Sequence, residues 1–250
     1  MPVIQPCGTC SLCRQHKLPR ASHFIPAALY PKNKKIAMAT LSGVTPAPKE
    51  IMDYLLCGDC EERFNRNGES EVLRLLAPKA KNEVFPLRER VRNAPVVVTV
   101  EGMTGHDSRA IEIDTERLAY FALSVIWRGA VHSWTLPDGS KCRRCRLGRH
   151  EEPIRQFLIG QAPFPQDAAV LVSVCEDAFS RDYRLPPQCS RLADTMTCRV
   201  FTAGAMFMVW LGQLPTRIRN GCCYSSQARP IFLTHCDDIL RAFLSQLPTL

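Results

Sequence analysis

The sequence predicts an α+β chain in two parts: a cysteine-rich, metal-stabilised region over residues 1–92 and a mixed α+β region over 93–250. Three observations predict it. Two C-x2-C pairs, Cys10/Cys13 and Cys57/Cys60, fall in the first region. That region holds five of the thirteen cysteines and fifteen of the thirty-two basic residues. The remainder mixes β-branched runs with stretches of helical periodicity. With 250 residues, 46% apolar and 22% charged, the chain has enough apolar material for a packed core.

The elements follow in order. Cys7 to Cys13 is an irregular opening. Ala21 to Pro26 carries β-tolerant residues closed by a proline, which suits a strand end and puts His23 at its margin. Pro31 to Lys49 is basic and interrupted by Gly43, Pro46 and Pro48, so a long loop is expected there. Cys57-Gly58-Asp59-Cys60 forms a knuckle, and the acids and helix formers after it set a helix start near Cys60. Asn67-Gly68 reads as a helix stop, followed by a short helix over Ser70 to Ala77.

Pro95 to Glu101 and Ala110 to Asp114 read as strands. Leu118, Phe121, Ala122, Val125 and Ile126 recur at helical spacing, making Thr115 to Trp134 the central buried helix. Pro137-Asp138-Gly139 is a turn and Ile154 to Leu158 helical. Ala168 to Val174 reads as a strand, and so does Arg199 to Leu211 with a bend at Gly204. Ile231 to Thr234 adds a further strand, and Asp237 to Leu244 an amphipathic helix.

Charge and apolar patterning narrow the functional classes. The formal charge is +8, and residues 1–49 carry seven Lys or Arg with no Asp or Glu. Such a cationic segment attracts phosphate, so nucleic acid, DNA or RNA, is the expected partner, with Lys32, Lys34 and Lys35 as phosphate contacts. The apolar stretches Leu118 to Trp127 and Ala205 to Leu211 are short of the roughly 20 residues that cross a bilayer, so no membrane partner is expected. Met1 to Cys7 reads as no secretory signal, and a cytoplasmic location with reduced thiols is expected.

The two C-x2-C pairs carry the strongest chemical signal. Four thiolates complete a tetrahedral structural zinc site and leave no open position, so Cys10, Cys13, Cys57 and Cys60 are the expected ligands and Zn2+ the expected structural cofactor. Cys7-x2-Cys10 has the same spacing and stands as an alternative to Cys10/Cys13. A third pair, Cys142/Cys145, followed by His150, lies in a segment with five basic residues over Lys141 to Arg149. It is either an incomplete second zinc site or a solvated basic loop. The remaining cysteines, among them Cys189 and Cys198, lack ligand spacing and are expected to pack.

The order C-x2-C, Ser22-His23-Phe24-Ile25-Pro26, then Leu55-Leu56-Cys57-x2-Cys60-Glu61 resembles the HNH family of ββα-metal nucleases. It is closer still to treble-clef zinc proteins with an S-H-x-I-P motif and a C-x-x-C-E knuckle. The likeness spans about Cys10 to Glu71. It implies an N-terminal treble clef with an HNH-like ββα element, and His23 as the base that activates water against a phosphodiester. It further implies a catalytic Mg2+ or Mn2+ held by Glu61, with Glu62 as an alternative. The sequence departs from the family where Ser22 and Glu61 stand at usual ligand positions, and where the middle Asn has no counterpart, Asp53 being only nearby.

The second region carries no P-loop, dinucleotide fingerprint or nucleophile elbow. Arg128, His132 and Trp134 gather near one helix end, as a polar site or as core with amphipathic edges, and residues 93–250 are open to a protein partner. The function expected from the sequence is metal-dependent hydrolysis of nucleic acid. The alternative is a noncatalytic zinc module that binds nucleic acid or serves as a protein adaptor.

Overall fold

One helix that is apolar on every side organises the structure, a computed structural model that describes residues 8–30, 37–40, 43–46, 50–77, 85–100, 103–136, 139–176, 178–224 and 229–234. Cys7, Lys32, Lys34, Lys35, Cys236 and the expected helix at 237–244 lie outside the described residues. In chain order the elements are β1 (Pro19–His23), β2 (Ala37–Thr40), β3 (Gly43–Pro46), β4 (Met52–Cys57), α1 (Gly58–Phe64), α2 (Ser70–Leu76), α3 (Pro86–Arg92), β5 (Val96–Val100), β6 (Met103–Asp107), α4 (Thr115–Val131), α5 (Glu151–Ile159), β7 (Ala168–Cys175), β8 (Tyr183–Leu192), β9 (Thr195–Thr202), β10 (Ala205–Gly212), α6 (Thr216–Asn220) and β11 (Pro230–Thr234). The chain is thus mixed α and β, as expected. β1 and β4 form a two-stranded antiparallel sheet, and the other nine strands form one sheet in the order β3-β2-β8-β9-β10-β7-β11-β6-β5.

Fourteen of the seventeen residues of α4 are buried, and a helix apolar all round must be covered on all sides. Its start is fixed by Asp114, whose carboxylate accepts from the N–H groups of Glu116 and Arg117 at 3.1 and 3.0 Å. One face lies on the large sheet, where Phe121 meets Phe207 edge-on at 5.2 Å. Another takes Phe64 of α1 against Tyr120 and Trp127. α4 therefore connects the sheet to the cysteine-bearing end of the chain.

Residue 92 marks a change in composition, while the packing across it is continuous. β2 pairs in parallel with β8, and one cluster of buried apolar side chains runs from Cys10 to Leu233. Two buried arginines tie the halves by donating to main-chain carbonyls: Arg184 to Leu29, and Arg155 to Leu12 at 2.5 Å.

Several elements differ from the sequence reading. The segment expected as a loop at 31–49 contains the β2–β3 hairpin, which extends the large sheet. Asn67-Gly68 does not stop the helix: the chain passes from α1 into α2 through a π-helical segment, Asn65–Glu69. The alternating residues 110–114 are not a strand, because Asp107 caps a 3-10 turn over Ser108–Ile111, and the partner of β5 is β6. Arg199 to Leu211 is a hairpin instead of one bent strand. Ala203 and Gly204, both at positive φ (50° and 82°), form the two-residue turn between β9 and β10. Cys189 and Cys198, expected only to pack, face each other across β8 and β9 and form a disulfide.

Two features of the contact between α4 and the segment from Asn65 to Leu76 are testable. A Cβ on Gly68 would lie 2.9 Å from the Phe121 backbone nitrogen, so Gly68→Ala should lower the unfolding free energy by about 1–3 kcal/mol, the usual cost of overpacking. Urea denaturation measures this, and an unchanged midpoint would show a crossing loose enough to open.

The second feature is buried Glu71. Burial works to raise its pKa, but the bidentate Arg74 guanidinium at 2.6 and 2.7 Å and the Asp114 N–H at 3.2 Å outweigh it and hold the carboxyl below its ordinary range. Such a group stabilises the fold fully above its unfolded pKa of about 4.3 and loses that contribution as pH falls through the lower folded value. Stability measured against pH should therefore fall more steeply below pH of about 4 in the wild type than in Glu71→Gln.

Candidate metal centre and the polar cluster beside it

The first knuckle is a closed turn. Thr9 bridges to His16, Cys10 N–H donates to Gln15 O at 3.0 Å, and Arg14 N–H donates to Cys10 O at 2.9 Å. Ser11 N–H donates to Leu55 O at 3.1 Å, which docks this turn on β4. The second knuckle joins strand to helix: Cys57 ends β4 as the N-cap of α1, and Cys60 lies in the first helical turn.

The docked turns bring the four sulfurs of Cys10, Cys13, Cys57 and Cys60 within 4.8 Å of one another, all as free thiols. A tetrahedral site with zinc–sulfur bonds of about 2.3 Å has edges of about 3.8 Å, and Cys13 Sγ lies 3.9 Å from Cys57 Sγ. The donor set therefore fits a metal ion and is consistent with zinc. The surroundings favour a thiolate at Cys10 and oppose one at Cys60, which shares its hydrogen bond, and at Cys13, which burial raises. Cys10 is pulled down to about 4, chiefly by a hydrogen bond with Cys60, against burial and with help from the Cys57 N–H at 3.3 Å. Arg155, held by Glu152, donates to the carbonyl of Leu12 inside the knuckle.

Beside the cysteines lies a second group of polar side chains, positioned by β1, β4, α1 and α4. Ser22 faces Asp53 and His23 faces Met52 in the β1–β4 register. His23 Nε2 lies 2.9 Å from a Glu50 carboxylate oxygen. Glu61, next to Cys60, has one carboxylate oxygen buried with no hydrogen-bond partner among the described residues. Burial pushes its pKa up, opposed by nearby Arg128, by a hydrogen bond with Ser22 and by His23, while Glu69 reinforces the rise. His23 and Glu61 are thus close enough to act on each other.

Arg128, 1% exposed, is the cation at the centre of this group. It donates to Glu69 at 2.7 Å and sits over the Phe64 ring at 4.7 Å, while Nε and Nη1 find no partner among the described residues. Glu69 reaches it from the π-helical segment. A turn later, His132 Nε2 contacts an Asp53 oxygen at 2.9 Å, and Trp134 stacks on Phe24 at 4.8 Å. The sequence left Arg128 and His132 open as a polar site or as core with amphipathic edges, and both make polar contacts in this group. The available signal was an arginine in the last turn of a helix that is otherwise apolar on every side.

Not every expected grouping forms. Cys142 and Cys145 do not converge with His150, whose Nδ1 pairs with Asp167 at 2.9 Å. Burial raises both thiols, to about 11 and about 12, and no third ligand joins them among the described residues. Glu62 is exposed on α1. No helix among the described residues is long and apolar enough to cross a membrane. Compared with known proteins, the chain matches no family model, no curated protein and no solved structure, so the site is read from its own chemistry.

Purified protein should carry one tightly held zinc per four-cysteine cluster, measured by atomic emission. Cys57→Ser should lose it and, because a structural zinc contributes about 10–16 kcal/mol of apparent binding energy, should also lose the near-ultraviolet signal of Phe24 and Trp134 packing. Unchanged metal content in that variant would overturn the ligand assignment.

Proposed function

We propose that the chain is a zinc-stabilised, metal-dependent hydrolase of phosphodiester bonds in nucleic acid. The carrying observation is that a strand-end imidazole, His23, and a first-turn carboxylate with an unpartnered buried oxygen, Glu61, sit within electrostatic reach of each other beside the cysteine cluster. On this reading the knuckle, the β1–β4 sheet and α1 are a treble clef, and β1–β4–α1 is its HNH-like ββα element.

The roles follow from residue chemistry. The four sulfurs leave zinc no open position, so zinc is architectural. His23 takes a proton from water, the resulting hydroxide oxygen attacks phosphorus, and the bond to the leaving oxygen breaks with its electron pair going to that oxygen, which solvent protonates. Glu50 orients the imidazole through Nε2. Glu61, with its free oxygen, is the residue to hold Mg2+ or Mn2+. Bound there, such an ion would supply charge neutralisation at the phosphate.

One observation favours a second reading, a noncatalytic zinc module that binds nucleic acid or serves as an adaptor. His23 is already satisfied by Glu50, and the Ser22 hydroxyl, at a usual ligand position, is engaged by the Leu56 N–H at 3.0 Å.

A cleavage assay on single- and double-stranded DNA and RNA with Mg2+ or Mn2+ separates the two. Wild type is expected to cut at least one substrate, and His23→Ala to cut about 10²–10⁴-fold more slowly with zinc content unchanged. If zinc-loaded wild type cuts none of them while still binding, the hydrolase reading falls and the module stands.

A further inference from the structure

Lys141 to Arg149 holds five Lys or Arg and no Asp or Glu, and it is not a freely solvated loop. It is strapped onto the end of α4. Cys142 N–H donates to Trp134 O at 2.8 Å, Cys145 N–H to Gly129 O at 2.9 Å, and Arg144 Nε to Ala130 O at 2.7 Å. The last two acceptors are carbonyls of the final helical turn, which lack partners within the helix itself.

Burial alternates along the strap. Cys145 and Leu147 are buried, whereas Arg143, Arg144, Arg146 and Arg149 are exposed. A cavity of about 370 Å³ opens here, lined by Ala130, Arg143, Arg144, Arg146, Gly148 and one acid, Glu151. The side chains of Arg143, Arg146 and Arg149 form no ion pair or hydrogen bond with the described residues. Arg191 from β8 comes to Gly148, its Nη2 being 4.0 Å from where a Cβ would stand. Guanidinium groups crowded along one strap repel one another, the single acid Glu151 offsets only part of their charge, and an anion relieves the rest. Their planar forks match phosphate oxygens. The strap from Arg143 to Arg149 spans at most about 20 Å, long enough for several backbone phosphates.

The strap is also continuous with the polar cluster. Lys141 is close enough to Asp53 to act on its carboxylate, which contacts His132 and lies opposite Ser22. We propose that the strap Lys141–Arg149, with the cavity it borders, is a nucleic-acid-binding surface that grips consecutive backbone phosphates. That it feeds a strand toward His23 rests on the hydrolase reading above; the binding itself does not.

The test is fluorescence anisotropy on the full zinc-loaded chain with labelled 20-nucleotide single- and double-stranded DNA and RNA, over a salt series. The variants are Arg143→Gln/Arg146→Gln/Arg149→Gln, and Arg66→Gln/Arg199→Gln as a control at exposed positions outside the strap. The triple variant removes only exposed, unpaired charges, and circular dichroism and zinc content check its fold. It is expected to bind duplex at least tenfold more weakly at low salt, with the slope of log K against log salt shallower by about 0.9 per lost phosphate contact. The Arg66→Gln/Arg199→Gln control should bind as wild type.

An unchanged affinity and slope in the triple variant would overturn the strap assignment, and so would a wild type that binds no oligonucleotide. Capture of labelled polyglutamate by wild type in preference to every oligonucleotide would assign the surface to an acidic protein and likewise overturn it. If wild type binds through the strap yet cuts nothing, only the hydrolase reading fails.

Discussion

The convergence of two cysteine pairs, 43 residues apart in sequence, is the constraint on which the site depends. Four sulfurs within 4.8 Å cannot all be thiolates without a cation, because like charges at that spacing repel strongly in a partly buried setting. One ion bound among them would fix the first knuckle against the junction of β4 and α1. That junction in turn sets where β1 pairs and where the first turn of α1 points. The positions of His23 and Glu61 are consequences of the same closure, one through the β1–β4 register and the other through its place next to Cys60.

A metal knot alone would leave this small assembly loosely held to the rest of the chain. α4 supplies the second support. Phe64 inserts its ring between Tyr120 and Trp127, Gly68 admits the α4 backbone at van der Waals contact, and Arg155 holds the carbonyl of Leu12. The π-helical segment between α1 and α2 belongs to this arrangement. Helices widen in this way where a side chain must be re-aimed, frequently at functional sites, and here the segment delivers Glu69 to Arg128. The cysteine-bearing end and the large sheet therefore share one core and one central helix.

The cysteine cluster and the central helix were legible in the sequence because their signals are local and chemically narrow. C-x2-C spacing has few other uses, and an apolar helix opened by Asp114 is read from one window. What was missed depends on distant partners. Nothing near Ala37 to Pro46 announces that this hairpin will find β8. Pro186 and Pro187 conceal β8 itself, since prolines count against a strand, yet its pairing with β9 shifts register between Leu185 and Gln188 and accommodates them. Asn67-Gly68 carried a valid stop signal that the close packing of α4 overrode. The polar cluster was only half legible: His23 and Glu61 stand in a motif, but Arg128 and His132 join them only through folding.

Arg128 bears on what the cluster is for. A buried guanidinium with one carboxylate partner and two nitrogens unpartnered among the described residues stabilises little, since the cost of desolvating such a charge rivals the gain from pairing it, and a well-packed apolar side chain in its place often does better. Glu61 presents the same economy with the opposite sign, a carboxylate whose burial opposes its charge. Two buried charged groups, adjacent to a cysteine cluster that fits a metal ion and to a strand-end imidazole, are poorly explained by stability alone. They are well explained if a charged ligand completes them. A phosphate brings oxygens for the free guanidinium nitrogens, and a divalent cation brings a partner for the free carboxylate oxygen. Both belong to one chemistry, and the unpaired arginines of the neighbouring strap favour the same anion.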